Sequence, residues 1–166
     1  FHAVSRPGDP RTNGTFKYYH GLGIGDVNND RRTDVIIPHG WWEAPVERTK
    51  GTWEFHAWTL SKSGEGNSLH AADVHVEDLD LDGDNDILMS NTHSHGVWWF
   101  EQTQSKKGPV FKYHLIDESY SQTHALHFID MNGDGQRDLG TGKRFFAHQG
   151  NDPGGKDPVV MYWYEL

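Results

Sequence analysis

The sequence contains no cysteine among its 166 residues, which excludes disulfides, thiolate zinc sites and cysteine nucleophiles. It is short of positive charge. Fifteen Lys and Arg against 24 Asp and Glu leave a net charge of -9 at pH 7, which repels phosphate backbones and anionic lipid surfaces, so nucleic acid is not an expected partner. Long apolar runs are also missing: none approaches the ~18 residues of a membrane span, and no membrane insertion is expected. No charged segment followed by an apolar one comes after Phe1, so the chain reads as processed or as part of a longer one. What is plentiful is glycine, 19 residues, and aromatic rings, 21 in all from 7 Trp, 6 Tyr and 8 Phe. Rings can fill a core where aliphatics are few, and this composition suits short strands separated by polar turns.

The acidic surplus is concentrated. Eleven of the 24 acids fall in three nine-residue windows, 26–34, 78–86 and 130–138, each starting 52 residues after the one before. A period of that length marks a repeat architecture. Each window offers side-chain oxygens at positions 1, 3, 5 and 9: Asp26, Asn28, Asp30 and Asp34; Asp78, Asp80, Asp82 and Asp86; Asp130, Asn132, Asp134 and Asp138. Position 7, held by Arg32, Asp84 and Gln136, can add a backbone carbonyl. Such spacing lets a curled loop wrap a hard cation, and calcium is the expected ion, up to three per chain. Carboxylates this close repel one another, so a filled loop pins the turn. An EF-hand needs a bidentate Glu at position 12, where this chain has Ile37, Met89 and Thr141; that motif is excluded. The alternative is a metal-free loop of Asx-turns. It weighs most for the first window, where Arg31 stands in place of Gly83 and Gly135 and, with Arg32, adds two positive charges.

Before each window the apolar residues alternate: Leu22 and Ile24, Val74 and Val76, Leu126 and Phe128. A period of two predicts strands. A short apolar segment follows each window, then a third strand carrying Trp41-Trp42-Glu43, Trp99-Phe100-Glu101 or Trp163-Tyr164-Glu165. A fourth is predicted at 53–60 and 111–116, with His56 and His114 in matching places. Each module is a four-stranded antiparallel meander. Glu43, Glu101 and Glu165, repeated at equivalent positions, are expected to hydrogen-bond between neighbouring modules, and the tryptophans to pack there.

On these residues the chain resembles the FG-GAP or VCBS repeats, the calcium-loop repeats of integrin α-subunit heads and of many secreted bacterial β-propellers. The specific part is the Asp-x-Asp/Asn-x-Asp-Gly-x-x-Asp loop between the first two strands of a blade. The stretches at 39–43 and 141–144 are similar to secreted bacterial members. The resemblance implies an all-β fold, a β-propeller segment of about three four-stranded antiparallel blades with one calcium loop per blade on one face. Phe1-His2-Ala3-Val4 is similar to the fourth-strand sequences, so the segment is expected to begin with a fourth strand and to end with a third. The divisions are then 1–14, fourth strand and linker; 15–66, with loop 26–34; 67–120, with loop 78–86; and 121–166, an incomplete blade with loop 130–138. Three wedges leave open flanks, to be covered by further blades or by copies of the chain through strand complementation. Weak calcium loops suit millimolar extracellular calcium, so the expected location is extracellular or cell-surface.

The sequence has 12 histidines. His20, His70 and His124 stand near the starts of first strands, and His39, His93, His95 and His148 follow second strands, so all lie on the face opposite the calcium loops. They could converge on a ligand or a transition metal; the alternative is hydrogen bonding to loop backbone. The longest insertion, 144–158, follows Lys143 and Arg144, whose charges would suit an acidic glycan. The ligand-site candidates are therefore His20, His39, His95, His124, Lys143, Arg144 and His148. Gly21-Leu22-Gly23-Ile24-Gly25 suggests nucleotide binding, but strand and acidic loop follow where a helix should start. The expected role is a calcium-binding extracellular module for ligand binding or head-to-tail assembly. A carbohydrate-active enzyme, lyase or hydrolase, and a structural filament subunit are the alternatives.

Overall fold

The computed structural model describes residues 2–5, 7–17, 19–66, 68–103 and 108–165. It is all-β, with three antiparallel sheets in a row along the chain. The first contains β1 (Gly23–Gly25), β2 (Asp34–Ile37), β3 (Gly40–Glu43) and β4 (Glu54–Ala57) in the order β1-β2-β3-β4. The second repeats this with β5 (Ala71–Glu77), β6 (Asp86–Asn91), β7 (His95–Thr103) and β8 (Val110–Ser121). The third has β9 (Thr123–Ile129), β10 (Asp138–Lys143) and β11 (Met161–Tyr164), ending at its third strand. The register repeats with the sequence: Gly25 faces Asp34, Glu77 faces Asp86 and Ile129 faces Asp138.

Strand alternation gives every sheet two apolar faces, one for each neighbour. On β6, Ile87 and Met89 join Val27, Ile36, Trp41, Val74, Trp98 and Phe100 in a core between the first and second sheets. Leu88, between them, points the other way and packs with Val97, Tyr120, Leu126 and Leu139 against the third. First strands of neighbouring sheets run side by side. Leu22 and Asp73 form a parallel bridge, and Leu126 N donates to the Asp73 carboxylate at 3.1 Å. Trp41 and Trp98 are buried in the first of these interfaces, as expected of wedge packing, whereas Trp42 is buried on the other face of its sheet, against Phe55 and Gly14.

The row has the open flank expected of three wedges, and one expectation changes at its ends. Leu22 and Ile24, equivalent to buried Val74 and to Val76, are 64% and 66% exposed, because their face looks away from the second sheet. Residues 2–5 form no strand, although the opening of the chain was expected to be a fourth strand; Phe1 lies outside the described residues. A fourth strand needs the open edge of a third. The open third-strand edge is β11, in the last sheet.

Glycine sets the approach of the first two sheets. A Cβ on Gly23 would lie 2.4 Å from the Val74 carbonyl oxygen, and one on Gly25 2.4 Å from Val76 Cβ. Gly23→Ala is therefore expected to force the sheets apart and to cost roughly 1–3 kcal/mol of stability, read as a lower midpoint in denaturant unfolding with excess calcium. An unchanged midpoint would contradict this packing.

Candidate metal centre and histidine face

The three acidic loops share one backbone conformation despite different residues. Position 4 has positive φ in each (Asn29 59°, Leu81 63°, Gly133 82°), and so has position 6 (Arg31 67°, Gly83 99°, Gly135 93°). Arg31 thus adopts the left-handed conformation that glycine adopts without strain. The position-1 carboxylates cap this curl. Asp26 accepts from Asp30 N and Arg31 N at 3.0 and 2.6 Å, Asp78 from Asp82 N and Gly83 N at 3.1 Å each, and Asp130 from Gly133 N and Gly135 N at 2.6 and 3.0 Å.

Position 9 serves a different purpose. Asp34, Asp86 and Asp138 are almost wholly buried. Asp34 accepts from Val27 N (3.0 Å) and Ala44 N (2.8 Å), Asp86 from Leu79 N (3.2 Å) and Gln102 N (2.7 Å), and Asp138 from Met131 N (2.9 Å). Burial pushes the Asp34 carboxyl up to about 6 and raises that of Asp86, against the pull of these N–H donors. In the second loop Asp78, Asp80 and Asp82 bring carboxylate oxygens within 4.8 Å of one another. Asp86 stands outside that group, committed to the backbone. Asp84, expected to contribute its carbonyl, is buried and accepts from Asn29 Nδ2 at 2.5 Å, tying the first two loops together.

The other loops differ in what surrounds them. In the first, the Arg32 guanidinium pairs with Asp30 and Glu43 and donates to the Ala44 carbonyl at 2.6 Å, so a cation already lies on this loop. In the third, Asn132 donates from Nδ2 to Asp134 at 2.9 Å and to Glu165 at 3.2 Å, and Asp134 accepts from Gln136 N at 2.8 Å. That last bond, more than any other, holds the Asp134 carboxyl below its ordinary range. The oxygen-rich donor set fits a hard cation such as calcium, best in the second loop.

Glu43 and Glu101 bond within their sheets and not between them. Glu43 lies 2.9 Å from His56 Nε2, and Glu101 lies 2.6 Å from His114 Nε2 and 3.0 Å from Lys112 Nζ. The same histidines stack on Trp41 and Trp99, with ring centroids 4.7 and 4.4 Å apart. The cause is register: Trp41 faces His56 and Trp99 faces His114, so each glutamate, two residues on, reaches its histidine diagonally.

At the opposite ends of the strands the histidines partly converge. His93 packs against His20, His124 and His148, with centroids 5.4, 6.0 and 4.7 Å apart. Asp152, absent from the sequence-derived set together with His93, lies at the centre. It is 3.4 Å from His93 Nδ1, 2.9 Å from His148 Nδ1 and 2.8 Å from Arg144 Nη2. Arg144 also reaches His124 and donates to Gln122 Oε1 at 3.2 Å. The signal for Asp152 was its place four residues after His148. His39 stacks on Tyr19 at 3.7 Å instead, and His95 begins β7, where its carbonyl accepts from Asn91 at 3.5 Å. Lys143 is buried, with Nζ 3.4 Å from the Arg144 carbonyl. Arg144 is thus paired to Asp152 and Lys143 is buried, and both line the groove over the last sheet together with His124.

Residues 78–141 match the family model described as an FG-GAP-like repeat. The match starts at the second acidic loop and runs through the third into β10. No curated protein matches the chain.

The buried clamp and the exposed carboxylates separate experimentally. Asp86→Ala leaves two N–H groups without their acceptor and is expected to cost roughly 2–4 kcal/mol even in excess chelator. Asp80→Asn, at an exposed position, is expected to stay within about 0.5 kcal/mol of the parent in chelator. Equal losses in urea unfolding would refute the distinction.

Proposed function

From the premise that this chain carries an FG-GAP-like repeat, we propose that it is a calcium-held β-propeller segment that acts outside the cell as a docking module for further blades. The observation that carries this reading is the group of Asp78, Asp80 and Asp82, whose oxygens approach within 4.8 Å on a loop conformation repeated in all three sheets. Calcium there relieves carboxylate repulsion and neutralises part of the -9 charge. Three ions would bring it to -3. The second and third loops are the stronger sites, since Arg32 already supplies charge to the first. Repeats of this family are typical of extracellular or surface proteins, where millimolar calcium suits loops of moderate affinity.

Docking is supported by the two ends of the row. Leu22 and Ile24 are exposed at one. At the other, a groove of about 720 Å³ runs over the outer face of the last sheet, lined by His127, Ile129, Met131, Met161 and Trp163. By the repeat, Leu22 and Ile24 correspond to Val74 and Val76, which pack against Gly23 and Gly25 of the preceding sheet, and His127 corresponds to His75 on the receiving side. The faces are complementary in kind, and the occupant is another blade, from more of the same chain or from a second copy. A fourth strand from that source would satisfy the open edge of β11.

Chelation is expected to lower the melting temperature by about 5–10 °C for each site filled at 100 times its Kd. Asp80→Asn with Asp134→Asn should abolish most of that shift. A melting curve indifferent to calcium would end the proposal. In calcium the chain is also expected to sediment as more than a monomer, and Met161→Ser with Trp163→Ser to return it to monomer; a dilute parent monomer would remove the second copy as occupant.

A further inference from the structure

The histidine face holds a second donor set, different in chemistry from the calcium loops. His93, His148 and Asp152 each offer one ligand atom, all within 4.8 Å of one another, and the Nδ1 atoms of His148 and His93 lie 2.9 and 3.4 Å from Asp152 Oδ2. Bonds of ~2.0–2.1 Å in a tetrahedral shell place neighbouring ligand atoms about 3.3 Å apart. The spacing is therefore already close to that of ligands around one small ion. Two imidazoles and a carboxylate suit zinc and its neighbours, and they leave a fourth position for water or a ligand oxygen.

The surroundings support the arrangement. Asp152 has a side chain only 15% exposed, while His148 is 54% exposed, so the carboxylate lies beneath a more accessible imidazole. His148 and Gln149 both have positive φ, 48° and 58°. Consecutive left-handed non-glycine residues cost on the order of 1–3 kcal/mol each, and such strain gathers at functional sites. Here it holds the His148 ring stacked over His93, with centroids 4.7 Å apart. Arg144 Nη2 donates at 2.8 Å to Asp152 Oδ2, the same oxygen that both imidazoles approach, so an ion there shares this oxygen with the guanidinium, whose charge moderates affinity. Gln122, wholly buried, ties Arg144 and the Pro153 carbonyl to the junction of the second and third sheets.

We propose that His93, His148 and Asp152 form a site for one divalent transition ion of the zinc type, bridging the second sheet and the insertion of the third on the face opposite the calcium loops. The site is independent of the docking reading and is tested with calcium saturating. Titration of the full chain with zinc chloride by calorimetry is expected to show one tight site. His93→Gln and His148→Gln should each weaken it on the order of tenfold or more, while His127→Gln, on the exposed outer face of the last sheet, leaves it unchanged. Cobalt(II) is expected to give the visible bands of a four-coordinate ion in the parent and the His127 variant alone. Calcium-dependent melting confirms that each variant is folded, and His148, on an exposed loop, is the variant least able to disturb the fold. Zinc uptake that is absent from the parent, or equal in all three variants, overturns the site.

Discussion

One buried carboxylate per repeat ties the acidic loop to the second strand, and in the first two repeats it holds the third strand as well. Asp34, Asp86 and Asp138 each begin a second strand opposite the last residue of the first. Each takes the N–H of the loop's second residue. In the first two sheets the carboxylate also takes the N–H that follows the third-strand glutamate, from Ala44 and Gln102. Loop, second strand and third strand are thus fixed to a single side chain. Burial penalises the charge, which is why Asp34 titrates near 6; the directed N–H bonds offset part of that penalty. The acidic loop can then curl the same way in all three repeats, whether position 6 is arginine or glycine.

The same repeat makes the sheets into wedges but not into identical ones. Three equivalent positions, 23, 75 and 127, face the following sheet. Gly23 lets Val74 approach to contact, whereas His75 lies 3.2 Å from the Leu126 carbonyl. His127 has no sheet beyond it among the described residues and lines the open groove. Loop contacts reinforce each junction. Asn85 donates to the Asp26 carbonyl at 2.8 Å between the first two sheets, and Arg137 pairs with Glu77 between the second and third. Flanks that are apolar at both ends follow directly from a pattern that gives every sheet two interior faces.

Much of this was legible in the residues. The 52-residue spacing of the acidic windows, the alternation of Val74 with Val76 and of Leu126 with Phe128, and the recurring Trp-Trp or Trp-Phe pairs located the strands and their order. Burial of Leu22 and Ile24 was not legible, because alternation says that a face is apolar and not whether a neighbour covers it. Position 9 was read as a ligand, and its engagement of backbone N–H groups was not legible, since spacing does not show which groups an oxygen meets. The glutamates were assigned between sheets because repetition was visible while the diagonal register was not. Asp152 escaped notice, and His93, placed on this face, was left out of the ligand set, because their meeting depends on the path of the 144–158 insertion, which has no counterpart in the other repeats.

The two ends of the strands are physically linked. β6 runs from Asp86, the clamp of the second acidic loop, to Asn91, whose side chain accepts from His93 N at 3.0 Å. Six residues of strand span about 17–20 Å, and the strand is buried on both faces over most of its length, so it behaves as a rigid strut. β10 connects Asp138 to Lys143 in the same way, and Arg144 follows directly. Order imposed at the acidic loops fixes the starts of these struts, and the histidine cluster is assembled from what hangs on their far ends. Because His20, His93 and His148 come from loops of three different repeats, the cluster exists only when neighbouring wedges are packed in register. The polar loops on one face and the imidazoles on the other are therefore two readouts of a single condition, the seating of each sheet against the next.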